Sequence, residues 1–159
     1  MRKLLGIGAI LLAGFSAGAA SHAETADTVN LYSVHANPTM PVVAVETAFA
    51  VEAGKAVRLT VYDSEENFLE TPRAKFEATV NQSGIAVLPL EGLEAGVYAF
   101  AAYLDEDGDG KLKRGKILGR PKEPLAFSNG VKIKIRKPRF DETKVDIAPG
   151  DVIVITLDD

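Results

Sequence analysis

At 159 residues, with 47% apolar and 25% charged side chains, the chain has room for one ordinary domain and the balance of a folded protein rather than a disordered one. The absence of cysteine excludes a disulfide framework, a thiolate nucleophile, a cysteine-ligated zinc and a lipidated cysteine anchor, and two histidines leave poor material for a histidine metal centre. The net charge of −4 is mild, but its distribution is not: 15 acidic and 4 basic residues lie between Glu24 and Gly110, and 11 basic residues and Glu123 alone between Lys111 and Arg139.

Residues 1–23 carry a short positive start at Arg2 and Lys3, an apolar run from Leu4 to Phe15, and Ser21-His22-Ala23. This pattern predicts a secretory signal peptide cut between Ala23 and Glu24, hence a periplasmic or secreted protein with no transmembrane segment after processing. Residues 24–41 read as an N-terminal extension and 42–159 as the folded domain.

Alternation then dominates. Strands are predicted over Val42 to Ala50, Val57 to Tyr62, Lys75 to Val80, Ile85 to Leu90, Val97 to Leu104 and Val131 to Arg136. Val152 to Leu157 reads as a fully buried strand. Turn signals separate them at Glu52-Ala53-Gly54, Asn81-Gln82-Ser83-Gly84, Glu94-Ala95-Gly96 and Pro149-Gly150. The best helix candidate, Glu65 to Leu69, is short. Seven or eight short strands with frequent turns predict an all-β, antiparallel β-sandwich with one long irregular loop between Leu104 and Gly130.

That loop opens with Asp105-Glu106-Asp107-Gly108-Asp109-Gly110-Lys111-Leu112. Asp105, Asp107, Asp109 and Gly110 match D-x-D-x-D-G, the first half of a calcium-binding loop. Carboxylates about 4 Å apart repel by roughly 4 kcal/mol at an effective dielectric near 20, and a hard divalent cation turns that repulsion into attraction. The loop is not an EF-hand, because a strand precedes it and the twelfth position is Lys116 rather than glutamate. Calcium would use Asp105, Asp107, Asp109 and the Lys111 carbonyl, with Glu123 or Asp141 closing the shell. The expected affinity is weak, on the order of 10⁻⁴ to 10⁻³ M.

The basic stretch supports a second reading, contact with an anionic envelope polymer or lipid headgroups through Lys132, Lys134, Arg136, Lys137 and Arg139. A third is a carboxylate- or calcium-dependent envelope enzyme built around Asp105, Asp107, Asp109 and Glu123. No catalytic constellation stands out: His35 is the one histidine beyond the signal peptide, and the G-x-x-x-x-G-K match at Gly110, Gly115 and Lys116 is followed by Ile117 where a phosphate-binding loop needs Ser or Thr. The chain is therefore read as non-enzymatic, with no nucleic-acid partner.

From Val57 to Leu157 the sequence resembles a bacterial family catalogued as domain of unknown function 2141. The resemblance is carried by Leu59-Thr60-Val61-Tyr62-Asp63-Ser64 with Phe68, by Gly92 to Ala99, by Asp105 to Leu112, by Leu118 to Pro124 and by Phe127-Ser128-Asn129. It implies an exported, single-domain sandwich of transthyretin-like or prealbumin-like type without an established activity. Lys113 and Arg114 stand where the family often has an acidic residue, which removes one ligand; Leu125-Ala126 replaces a usual Tyr-Gly. Ser128 and Asn129 are expected to satisfy backbone groups.

Overall fold

The computed structural model describes residues 40–113, 121–132 and 136–158. Residues 1–23, expected to be a signal peptide, most of the expected N-terminal extension with His35, residues Gly115 and Lys116, and Lys134 lie outside the described residues.

Among the described residues eight strands form two sheets: β1 (Val42–Thr47), β2 (Ala56–Tyr62), β3 (Ala74–Thr79), β4 (Ile85–Pro89), β5 (Gly96–Asp105), β6 (Leu125–Phe127), β7 (Lys144–Ile147) and β8 (Val152–Leu157). The order β4-β1-β8 makes a three-stranded sheet. The order β3-β2-β5-β6, with β7 also paired to β5, makes a five-stranded one. The fold is an all-β sandwich, antiparallel at every pairing except β1 with β8, which run parallel with Val42 opposite Val152.

Alternation explains the layers. In β2, Val57, Leu59 and Val61 are fully buried between the sheets, while Arg58 and Thr60 point outward. In β5, Phe100, Ala102 and Leu104 join them, and from the facing sheet come Val43, Val45, Ile155 and Leu157. Each of these valine, leucine, isoleucine and phenylalanine side chains contributes about 1.5–3 kcal/mol by leaving water. The continuous apolar run of β1 suits its central position, where Val42 through Val45 are all buried.

Strand β8 differs from the expectation of full burial. Ile155 and Leu157 face the core, but Val152 and Val154 are exposed, because β8 is an edge strand with one face uncovered. A β-branched run does not reveal whether both faces are covered.

The outer face of the five-stranded sheet carries a second apolar cluster. Phe68, from the connection after β2, packs edge-on against Tyr62 at a ring separation of 5.3 Å and against Phe140 at 6.0 Å. The segment expected to be helical is this connection, and it folds as consecutive turns. Leu69 adopts a left-handed φ of 62°, which ends any helix and lets Phe68 and Leu69 both lie on the sheet. Among the described residues the α-helix lies elsewhere, as the single turn α1 (Phe140–Thr143), where the Glu142 carboxylate accepts the Arg139 N–H at 2.8 Å.

Strands β6 and β7 were not expected. At three and four residues they are too short for alternation to register, and β6 divides the long connection. Val131 and Lys132, expected to open a strand, follow a 3₁₀ turn at Ser128–Gly130 and are not in one. In that turn the fully buried Ser128 hydroxyl accepts the Phe100 N–H at 3.0 Å and donates to the Thr143 carbonyl. Asn129 donates to the Lys144 carbonyl at 2.8 Å. The two residues thus stitch β5 to α1 and β7.

Candidate functional site

The acidic loop begins where β5 ends. Asp105 shares the outward parity of Ala101 and Tyr103, yet it is only 1% exposed. Its Oδ1 accepts the Gly108 N–H and its Oδ2 the Gly110 N–H, each at 2.9 Å, and the Arg58 Nε donates to Oδ2 at 2.8 Å. Burial alone would raise the Asp105 pKa; the bonds from Arg58, Gly110 and Gly108 outweigh it and hold the carboxyl below its ordinary range. Gly108 and Gly110 take φ values of 74° and 76°, so the chain can curl around this carboxylate.

The curl brings Asp105, Asp107 and Asp109 together, one carboxylate oxygen from each lying within 4.8 Å of the others. Asp109 also accepts the Lys111 N–H at 2.8 Å. Asp107 and Asp109 are exposed, and the Lys113 ammonium is bound between them, in contact with Asp107 and 3.5 Å from Asp109. Lys113, which stands where the resemblance leads one to expect an acidic residue, is thus an internal counter-charge.

Glu123 is buried and meets the loop, but through backbone. Its Oε1 accepts the Glu106 N–H at 3.2 Å and its Oε2 the Lys113 N–H at 3.0 Å. The Lys55 ammonium reaches the Glu106 carbonyl at 2.9 Å. Lys111 is exposed, its N–H spent on Asp109. Asp141 stands apart on α1, paired with Lys144 at 2.5 Å; α1 leads into β7, which joins β5 at Gly96–Ala99, the end opposite Asp105.

The basic residues do not present one uniform unpaired face. Lys132 pairs with Asp158. Arg136 clasps Glu142 through two bonds of 2.8 and 2.6 Å, and this contact, with the Arg139 N–H, lowers the Glu142 pKa to about 2. Lys137 and Arg139 are exposed; the Arg139 charge lies close enough to Glu142 to help lower its pKa, and Lys137 forms no ion pair among the described residues.

Sequence reasoning missed Arg58 and Lys113 as the cations of this loop. The outward parity of Arg58 was readable, but its partner depends on strand register, which the sequence does not display. Lys113 could have been found from its four-residue spacing from Asp109.

The arrangement is a set of hard oxygen donors suited to calcium, already partly neutralised by two side-chain cations. Three carboxylates, one of them fixed by backbone bonds, fit the donor chemistry; the Lys113 ammonium would have to move for an ion to reach Asp107 and Asp109.

Comparison with known proteins gives a family and little else. No curated protein matches the chain. Among solved structures, the crystal structure of the major plantain pollen allergen Pla l 1 is similar at 11% identity and a TM-score of 0.34, covering 73% of this chain and 92% of that one, too distant to carry an argument. Over residues 47–154 the sequence matches the family described as "Uncharacterized protein conserved in bacteria (DUF2141)", and the chain belongs to it.

Proposed function

We propose that this protein is an exported, non-enzymatic β-sandwich module of the bacterial cell envelope, transthyretin-like in kind, whose acidic loop is a weak calcium site guarded by Lys113. The observation that carries the reading is the convergence of Asp105, Asp107 and Asp109 oxygens within 4.8 Å. Three lines support it. The donors are all oxygen, as calcium prefers. Asp105 is held in place before any ion arrives, which lowers the cost of ordering. Glu123 fixes the loop's return path to Glu106 and Lys113.

In this reading calcium and the Lys113 ammonium compete for Asp107 and Asp109. Envelope calcium at high concentration displaces the lysine and stiffens the loop; depletion lets the lysine return. Export rests on the pattern of residues 1–23.

Thermal melts of the purified protein in EDTA and in millimolar calcium test the site. A rise in melting temperature with calcium, absent with magnesium, supports it; identical melting temperatures in all three would sink it. The N-terminal sequence of the protein recovered from fractionated cells tests export, with Glu24 as the expected first residue.

A further inference from the structure

Beside the acidic loop, on the outer face of the five-stranded sheet, lies a cleft of about 420 Å³. Its size is within the range of small-molecule sites. Register builds its floor. Thr60 of β2 stands between Lys75 of β3 and Ala101 of β5, and Ala101 is opposite Phe127 of β6. Arg58, Tyr103 and Leu125 form the parallel row beside them. The floor is therefore apolar and aromatic toward β6 and basic toward β3. Loops supply the walls: Leu69 from one side, Leu112 and Pro121 from another, and the buried Pro138 from a third.

The charge of the rim is the informative feature. Lys75, Lys111 and Lys137 line the cleft, each exposed, and none has a carboxylate partner among the described residues. Most other described cations are engaged: Arg58, Arg73, Lys113, Lys132, Arg136 and Lys144 form ion pairs, and Lys55 bonds a carbonyl. In a chain of net charge −4, three unengaged ammonium groups around one apolar hollow mark it for an anion. Glu77 and Asp105 are already bound to Arg58. The Thr60 hydroxyl in the floor has no hydrogen-bond partner among the described residues and is free to donate. Leu69 holds its left-handed backbone at this wall, the kind of locally unfavourable conformation that collects at binding sites.

We propose that this cleft binds a single-chain amphipathic carboxylate, its acyl chain over Ala101, Leu125 and Phe127 and its acid group among Lys75, Lys111, Lys137 and the Thr60 hydroxyl. The aliphatic walls suit a flexible chain, and the cationic rim selects the charged head. The site does not depend on calcium in the neighbouring loop, and its test is run in EDTA so that the two readings fail separately.

Isothermal titration of the purified protein with sodium decanoate, below its micelle concentration, is the experiment. Decyltrimethylammonium, which has the same tail and the opposite charge, is the control. The expected result is one decanoate per chain and no saturable binding of the cation. The combined variant Lys75→Gln, Lys111→Gln, Lys137→Gln changes only exposed side chains. It should keep the parent melting temperature and bind decanoate roughly tenfold or more weakly. The inference is overturned if decanoate does not bind, if the cationic analogue binds equally well, or if the triple variant binds like the parent.

Discussion

Arg58 and Asp105 are diagonal neighbours across two antiparallel strands: the register sets Arg58 opposite Tyr103 and Ala56 opposite Asp105, and the guanidinium closes the gap to 2.8 Å. The contact fastens the start of the acidic loop to the sheet, and Asp105 then accepts two loop N–H groups as well. Removing a carboxylate buried to this degree strands three donors. Asp105→Ala should lower stability by about 3 kcal/mol, read as a shift of the urea midpoint. Arg58→Met should cost less, because it removes one donor and leaves Asp105 its Gly108 and Gly110 N–H bonds.

Lys113 is the expected competitor of calcium. Replacing it with methionine removes one positive charge from between Asp107 and Asp109. Unit charges about 4 Å apart interact by ~1 kcal/mol in water and ~4 kcal/mol near a protein surface. Lys113→Met should therefore tighten calcium binding roughly tenfold, measured by titration calorimetry. An unchanged affinity would mean that the lysine does not occupy the ion's place.

Gly110 combines a left-handed φ of 76° with a close neighbour, since an added Cβ would lie 3.4 Å from the Arg58 guanidinium. Gly110→Ala should cost about 1–2 kcal/mol from backbone conformation. Its loop amides should exchange with deuterium faster than in the parent, while those of β1 keep their rates.

Ser128 joins β5 to the chain leading into β7 through one buried hydroxyl. Ser128→Ala leaves the Phe100 N–H without that acceptor and should destabilise by roughly 1–3 kcal/mol in thermal or urea unfolding. Ser128→Thr, which keeps the hydroxyl, should restore part of the loss if the added methyl is accommodated.

Acid should destabilise the fold in a defined window. Glu142 has its folded pKa lowered to about 2 from 4.5, and Asp105 is also lowered. A carboxylate depressed on folding contributes stability above its unfolded pKa and loses it as pH falls through the folded one. Urea midpoints should be flat from neutrality to about pH 4.5 and then fall toward about pH 2. Glu142→Gln should flatten part of that decline; a decline identical to the parent's would remove Glu142 as its source.

The large strands were legible because alternation survives tertiary context where one face is wet. Val57, Leu59 and Val61 against Arg58 and Thr60 is the plainest case. The three aspartates were legible as a group because alternate residues in a tight curl converge whatever surrounds them. Their counter-ions were not, since Arg58 arrives by register. Glu123 was legible only as one of two candidates, with Asp141, to close a calcium shell; its use of backbone donors at Glu106 and Lys113 could not be read from a carboxylate's sequence position. The cleft was invisible for the same reason: Lys75, Lys111 and Lys137 belong to three distant segments that only the sheet assembles.

The parallel pairing of β1 with β8 joins the earliest described strand to the last, with Val42 against Val152. More than a hundred residues must be threaded before this contact can close, and such distant pairings slow folding. A chain that has not yet delivered residue 152 leaves one side of Val42 through Val45 without a strand to complete the ladder. The sandwich is thereby built to stay open until the stretch that forms β8 is in place, so closing this ladder is a late event in folding.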